Sequence, residues 1–443
     1  VPAGFLLFLG FVLFFYLQGG YRITALGQIR FELIVALFLA AISLVALFGD
    51  NGPSRIASPS ARAVAGWIIA LLSLSAVMTV ASQAPSISWE RFVDKVLKHG
   101  MLTLFIVALV TSPGRLRWFF GTYLLAFLKM AQEGVLGLVN GGLIWENQGT
   151  MRLHGSTPLY AHPNSFSGTQ LSTLPLLKSF FPVVGWRIRA VLGLQAFAAA
   201  IVVVTTGSRT GYVALVVWLA FVVIQSRYKF KTMIALALLG AAVVPVLPED
   251  YLARFETIFS QKDAEGESIE LRKEIYRDAM HVLARHPLGV GVGAFSAVRQ
   301  EMFGRKQEAH QLYLEVACDL GIPGLVVFCG LLVSMMTACA RASRSAQDQL
   351  SRVAAVHPRD TEPGNAEQVG EHKEDLAFIK ASGHALLGFL VVRLALGLFG
   401  HDFYEVYWWF AAGSIIALHR MLAVAEQRTR FLLSAHSSSL PTT

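Results

Sequence analysis

The sequence predicts an all-α polytopic membrane protein of about twelve transmembrane helices with one large outer loop, on three observations. The first is composition: 15% of the 443 residues are charged and 54% are hydrophobic, with 30 Phe and 8 Trp. Soluble domains carry about 25% charged residues. A soluble chain of this length would split into several domains, and too few polar side chains are present to cover them. The second is the recurrence of apolar runs near residues 3–18, 31–48, 63–82, 96–112, 116–138, 164–182, 187–206, 210–226, 230–247, 323–341, 378–399 and 403–423. Each approaches the roughly 20 residues that cross the hydrocarbon core of a bilayer. The third is a charge alternation between connections, which sets orientation.

From the N-terminus, the first run has neither a basic flank nor a small-residue cleavage site, so it reads as a span rather than a signal peptide. Arg55 and Arg62 follow the second run, Arg115 and Arg117 the fourth, Arg187 and Arg189 the sixth, and Arg227, Lys229 and Lys231 the eighth. The last three of these connections hold no acid. Odd-numbered connections mix signs, as Glu90, Arg91, Asp94, Lys95 and Lys98 do after the third run. Basic residues collect in cytoplasmic loops. Both termini are therefore expected inside, and the segment after the ninth run outside.

The chain then divides into 1–247, with transmembrane helices one to nine; an outer loop at 248–322; and 323–423, with helices ten to twelve. The last part includes a charged cytoplasmic linker at 342–377, with Pro358, Pro363 and Gly364, expected to be poorly ordered. A cytoplasmic tail follows at 424–443. The formal charge of +8 thus reflects membrane orientation in part, and no nucleic-acid partner is expected. Cys318, Cys329 and Cys339 lie in or beside one apolar stretch and imply no disulfide framework.

Within the outer loop, Pro245 and Pro248 end the ninth run and 260–267 reads as a polar turn. Ser268 is placed to cap a short amphipathic helix in which Leu271, Ile275, Ala279 and Val282 form one apolar stripe. Arg272, Lys273 and Arg277 border that stripe, which suits a helix lying on the membrane surface or against the bundle. His286-Pro287 stops it, and Gly289-Val290-Gly291-Val292-Gly293 reads as flexible.

Three constellations can carry chemistry. His310 opens a second short amphipathic helix, Ala309-His310-Gln311-Leu312-Tyr313-Leu314-Glu315, which breaks at Gly321-Ile322-Pro323-Gly324. A free imidazole titrates near pH 6.5, so it accepts a proton at neutral pH without a metal. Taken alone, it is more simply an interfacial histidine that caps the helix. Arg209 interrupts apolar sequence in Thr205-Thr206-Gly207-Ser208-Arg209-Thr210-Gly211. A charge at bilayer depth is usually paired, faces a polar cavity, or snorkels to the interface. Arg152 and His154 stand near His162-Pro163-Asn164 in the connection after the fifth run. Arg152, Arg209 and Arg272 come from three outer segments, and guanidinium forks match phosphate oxygens bidentately.

Other signals are weaker. The 289–293 glycines lack a following Walker lysine and a preceding strand. His401-Asp402 opens the last span as a relay pair or, more simply, as a helix cap. Packing or snorkelling accounts for Lys129, Glu133, Lys178 and Arg393. With no HExxH and no CxxC, no zinc site and no metal cofactor is expected.

Four pieces together resemble the O-antigen ligase and polymerase superfamily of bacterial envelope glycosyltransferases. They are His162-Pro163-Asn164 ahead of Leu174-Pro175-Leu176; Ser208-Arg209-Thr210-Gly211; Arg285-His286-Pro287-Leu288-Gly289-Val290-Gly291; and His310 through Gly324. They occur in the family's order across about 150–325, with Gln311 where the family often has Asn. The resemblance implies a GT-C-like inner-membrane enzyme whose active site faces the periplasm. One large periplasmic loop carrying the histidine favours a ligase over a polymerase, and the short segment after Met421 disfavours a protein O-oligosaccharyltransferase. It also implies a glycan donor on undecaprenyl diphosphate, a lipid A–core acceptor and contact with membrane lipids. His310 is then the general base, with Arg152, Arg209 and Arg272 on the diphosphate and His162, Asn164 and Gln311 as secondary candidates. From a different class, a secondary transporter or lipid flippase also has about twelve spans, but no repeat relates 1–226 to 227–443.

Overall fold

Each of the twelve apolar runs falls on a helix. The computed structural model describes residues 3–49, 58–147, 150–246, 249, 251–252, 267–354, 363–400 and 402–439. In chain order the main helices are α1 (Ala3–Tyr16), α2 (Phe31–Phe48), α3 (Pro59–Val80), α4 (Pro85–Arg91), α5 (Lys98–Leu109), α6 (Pro113–Val139), α7 (Pro163–Phe180) and α8 (Trp186–Thr205). They continue with α9 (Arg209–Gln225), α10 (Lys229–Val243), α11 (Glu267–Arg285), α12 (Phe295–Phe303), α13 (Leu312–Ala354), α14 (Pro363–Gly397) and α15 (Tyr407–Ser439). Among the described residues, seven helices are long and apolar enough to cross a membrane by length and composition. The chain is thus an all-α polytopic membrane protein.

Helix α7 is the polar exception among these runs, and burial explains it. Ser167, Thr169, Gln170, Ser172 and Thr173 are all buried. The hydroxyls of Thr169, Ser172 and Thr173 donate to carbonyls of the preceding turn, at 2.6–2.7 Å. Helix packing in a membrane favours small polar residues, and their hydroxyls can be satisfied within the helix. Aromatic packing of Phe8, Phe105, Phe119, Tyr123 and Phe410 fills the centre beside it.

The odd-numbered connections meet at one end of the bundle. Leu159 N donates to Gln18 Oε1 at 3.0 Å, joining the fifth to the first. Lys98 pairs with Glu32 at 2.8 Å, joining third to first. Gln83 N donates to Val290 O and Arg91 pairs with Glu308, joining third to ninth. Gly293 N donates to the Tyr404 hydroxyl at 2.9 Å, joining ninth to eleventh. Arg152 Nε donates to Thr206 O at 2.8 Å, joining fifth to seventh. The opposite end is tied by Arg117–Asp375, by Arg341 with Ser60, and by Arg420 on the carbonyls of Val107 and Val110. Alternate connections sharing an end is what an up-and-down bundle requires.

Several local expectations are corrected. The 342–377 segment is not a poorly ordered linker where it is described: α13 runs to Ala354 and α14 begins at Pro363. Ala342, Ala346, Val353, Val369 and Leu376 are all buried in the hydrophobic core, and the two helices pack against each other in a seam. That seam, hidden among charges in the linear sequence, holds both helices beyond the apolar runs. The 260–266 part of the polar turn lies outside the described residues. Helix α11 starts at Glu267, so Ser268 lies inside the helix instead of capping it.

The glycine run is not flexible. Val290 and Val292 are fully buried, and the nitrogens of Val290 and Gly291 donate to Cys318 O and Asp319 O at 2.9 Å. Gly291 has φ +117°, and a Cβ there would overlap Ser82. Here glycine permits close backbone approach, not motion. The run joins α11 and α12 in a small second core with Ala279, Val282, Phe295, Val298 and Cys318. A two-stranded antiparallel hairpin, β1 (Ile144–Asn147) and β2 (Thr150–Leu153), is a departure from helix that the periodicity did not signal.

Candidate functional site

A cavity of about 560 Å³ opens at the end where the odd-numbered connections meet. Strand β2, the starts of α7 and α9, α11, the loop before α13 and the stretch from α14 to α15 all line it. Strand β2 supplies Arg152, which is buried and fixed from two sides: Nε donates to Thr206 O and Nη2 to Asn164 Oδ1, both at 2.8 Å. The first turn of α7 supplies Asn164 and Ser165, with His162 as N-cap accepting from Asn164 N at 3.1 Å. The first turn of α9 supplies Arg209 and Thr210, where the Ser208 hydroxyl caps by accepting from Gly211 N. Arg272 and Ile275 of α11, with Gln307 and His310, form a further wall, and Arg393, Leu396, Phe399, Asp402, Glu405 and Tyr407 close the cavity from the end of α14 to the start of α15.

Arg152, Arg209, Arg272, His310, His162 and Asn164 all line this one cavity. Gln311 does not. It lines a smaller adjoining cavity of about 140 Å³ beside Arg272 and His310, and its Oε1 accepts from Leu314 N at 2.6 Å. His310 lies two residues ahead of α13, in a left-handed conformation with φ 48°. It therefore does not open the helix as expected; the backbone turns at the histidine before the helix starts. Non-glycine residues held in that region are uncommon and concentrate at functional sites.

Two side chains read as incidental belong to the site. Arg393, from the middle of α14, is 2% exposed, lies 3.4 Å from the Tyr407 ring centre and pairs with Asp402. Its Nε is buried without a hydrogen-bond partner among the described residues. Asp402 is not a cap of the last span, because α15 starts five residues later at Tyr407; its carboxylate instead answers Arg393. His401 lies outside the described residues. The available signal was a guanidinium inside an apolar run, where an unpaired charge is costly. Glu133 likewise pairs, with Arg22 at 2.7 Å and Lys129 at 3.0 Å.

The electrostatics suit an anion. Four arginines line the cavity, and the first turns of α7 and α9 face it, where unsatisfied N–H groups and the helix dipole favour negative charge. Opposing them are Asp402, answered by Arg393, and Glu405, answered by Lys95 at 2.9 Å. Burial disfavours charge on Glu405, but the Lys95 ammonium outweighs it and holds the carboxyl below the usual range. Among the described residues no three His, Cys, Asp or Glu side chains come together as metal ligands.

Residues 194–329 match the family model described as O-antigen ligase. That stretch runs from α8 to beyond the kink in α13, and holds Arg209, Arg272 and His310 but not Arg152, His162, Asn164 or Arg393. The likeness to the O-antigen ligase and polymerase superfamily is thereby borne out. No curated protein matches the chain.

Proposed function

From the O-antigen ligase match across 194–329, we propose that the protein transfers an O-antigen polysaccharide from undecaprenyl diphosphate to the lipid A–core oligosaccharide. It does so at the periplasmic face of the bacterial inner membrane. The observation that carries this reading is the convergence of His310 with Arg152, Arg209, Arg272 and Arg393 on one cavity. A lone base or a lone arginine has many uses; a base facing a cluster of cations at an interface suits departure of a diphosphate.

In this reading His310 takes the proton from an acceptor hydroxyl, and that oxygen attacks the anomeric carbon of the donor sugar. The bond from that carbon to the diphosphate oxygen breaks, the anomeric configuration inverts, and undecaprenyl diphosphate leaves with the electron pair. Charge grows on the diphosphate as this happens. Fixed guanidinium groups aimed at developing charge stabilise the transition state without reorganising. Arg152 also positions the site, because it ties the hairpin to the Arg209 turn through Thr206 O. No metal is required by this scheme.

General-base catalysis is worth roughly 10²–10⁴ in rate. His310→Ala, expressed in a strain lacking its own ligase, is expected to abolish polysaccharide-capped lipopolysaccharide while lipid-linked polysaccharide accumulates. Capping at the wild-type level would remove His310 from the mechanism. Shortened lipid-linked chains instead of uncapped long ones would favour the polymerase reading.

A further inference from the structure

The geometry points to a glycan-binding subsite in a second cavity, adjacent to the first and distinct from the diphosphate site. This cavity, about 460 Å³, lies between the first, third and eleventh connections and shares Leu159 and Glu405 with the arginine-lined one. Its volume falls in the range of about 300–1,000 Å³ usual for small-ligand sites. The inference rests on the glycosyl-transfer reading only for the identity of the glycan.

The lining chemistry differs from that of its neighbour. Gln18, Glu32, Asp94, Lys95 and Lys98 bring carboxylates, ammoniums and an amide to the wall, and Tyr21 an exposed ring. Three acids, counting Glu405, face two lysines, and two ion pairs form among them: Lys98–Glu32 at 2.8 Å and Lys95–Glu405 at 2.9 Å. No strong field of one sign results, which disfavours a second phosphate. Strong donors and acceptors alternate around the wall instead. A sugar hydroxyl both donates and accepts, so a pyranose face with several hydroxyls matches that alternation. Phe15 and Tyr21 offer ring surface for the C–H face of a sugar.

The backbone here is built irregularly. Asp94 and Lys95 sit in a π-helical segment, Phe92–Leu97, inserted between α4 and α5. Such segments are rare and frequently mark functional sites, because the widened turn resets which side chains share a face. Gln18, on the opposite wall, holds φ 52°, as His310 does at 48° in the first cavity. Its Oε1 accepts from Leu159 N, so the residue that fixes this wall also fixes the shared partition. A glycan whose reacting sugar lies by His310 therefore has an adjoining place for its next residues.

Two glycans have the required chemistry, the acceptor core and the donor polysaccharide, and the test separates them. Wild-type protein and the variants Lys98→Gln and Tyr21→Ala would be titrated with delipidated core oligosaccharide and, separately, with delipidated O-antigen fragment. Their KM and kcat for glycan transfer would be measured in parallel. Tyr21 is 62% exposed, so its removal leaves the packing intact even if Lys98→Gln disturbs it. Loss of a charged hydrogen bond to a bound hydroxyl is expected to weaken one of the two glycans about tenfold or more. That substrate's KM rises accordingly, with kcat little changed. The glycan affected names the occupant. Saturable binding that responds to the variants upholds the subsite even if no transfer is detected, an outcome that would sink only the ligase reading. Transfer that proceeds with binding and KM unaltered in both variants, or absence of saturable binding by either glycan, overturns the subsite.

Discussion

Arg393 illustrates what an isolated residue can and cannot disclose. In the sequence it is a charge in an apolar run; in the structure it is a cation stacked on Tyr407, paired with Asp402, at the wall of the arginine-lined cavity. Asp402 keeps 26% of its side chain exposed, so losing Arg393 costs less than the roughly 3–5 kcal/mol of a fully buried pair. Arg393→Met is therefore expected to lower the thermal unfolding midpoint of the purified protein and to reduce transfer. An unchanged midpoint would show that Asp402 is satisfied by solvent. His310, Arg209, Arg272 and Arg152 were recognisable because their segments are unusual: a Gly/Pro-broken helix start, an apolar stretch, an amphipathic stripe and a charge-poor connection. Their convergence was only an expectation from guanidinium chemistry and the family resemblance, because they come from four separate segments. His162, Asn164 and Gln311 line cavities and also bond within the scaffold: His162 Nδ1 accepts from Asn164 N, Gln311 Oε1 from Leu314 N, and Asn164 Oδ1 from Arg152.

Among elements, the helix break at Gly321 decides how the site is held. Gly321 has φ +69°, and a Cβ there would overlap the Leu288 backbone. The segment 312–320 is thereby turned against the glycine run, where Asp319 accepts from Gly293 N, Phe295 N and the Tyr404 hydroxyl. Gly321→Ala imposes both a steric conflict and a left-handed backbone, worth about 1–3 kcal/mol of strain. It is expected to raise hydrogen exchange across 267–309 and to lower transfer, although Gly321 touches neither cavity. Exchange identical to wild type would mean that the kink does not anchor this lobe. The break itself was legible as Gly321-Ile322-Pro323-Gly324. The rigidity of 289–293 was not, since the same glycines serve a loose loop and a close contact, and only the neighbouring Ser82 and Asp319 distinguish them.

At the scale of the molecule, the prediction concerns orientation. In a variant with Cys329 replaced by Ser, Tyr276→Cys is expected to react with a membrane-impermeant maleimide once the outer membrane is opened. Arg187→Cys is expected to react only after the inner membrane is breached. Both positions are exposed, and the reverse pattern would invert the topology. Spans and their alternation could be read from the sequence because the bilayer imposes a one-dimensional rule: each crossing needs its own apolar length, and flanking charge sorts by side. The O-antigen ligase likeness, too, was carried by short local motifs. What surrounds those motifs was decided by tertiary structure. The hold of Thr206 on Arg152, the packing of α13 against α14 past the apolar runs, and the second cavity all depend on contacts between residues distant in the chain. Local pattern records what a residue needs, a partner for a charge or a cover for an apolar face. Only the packed bundle decides which neighbour supplies it.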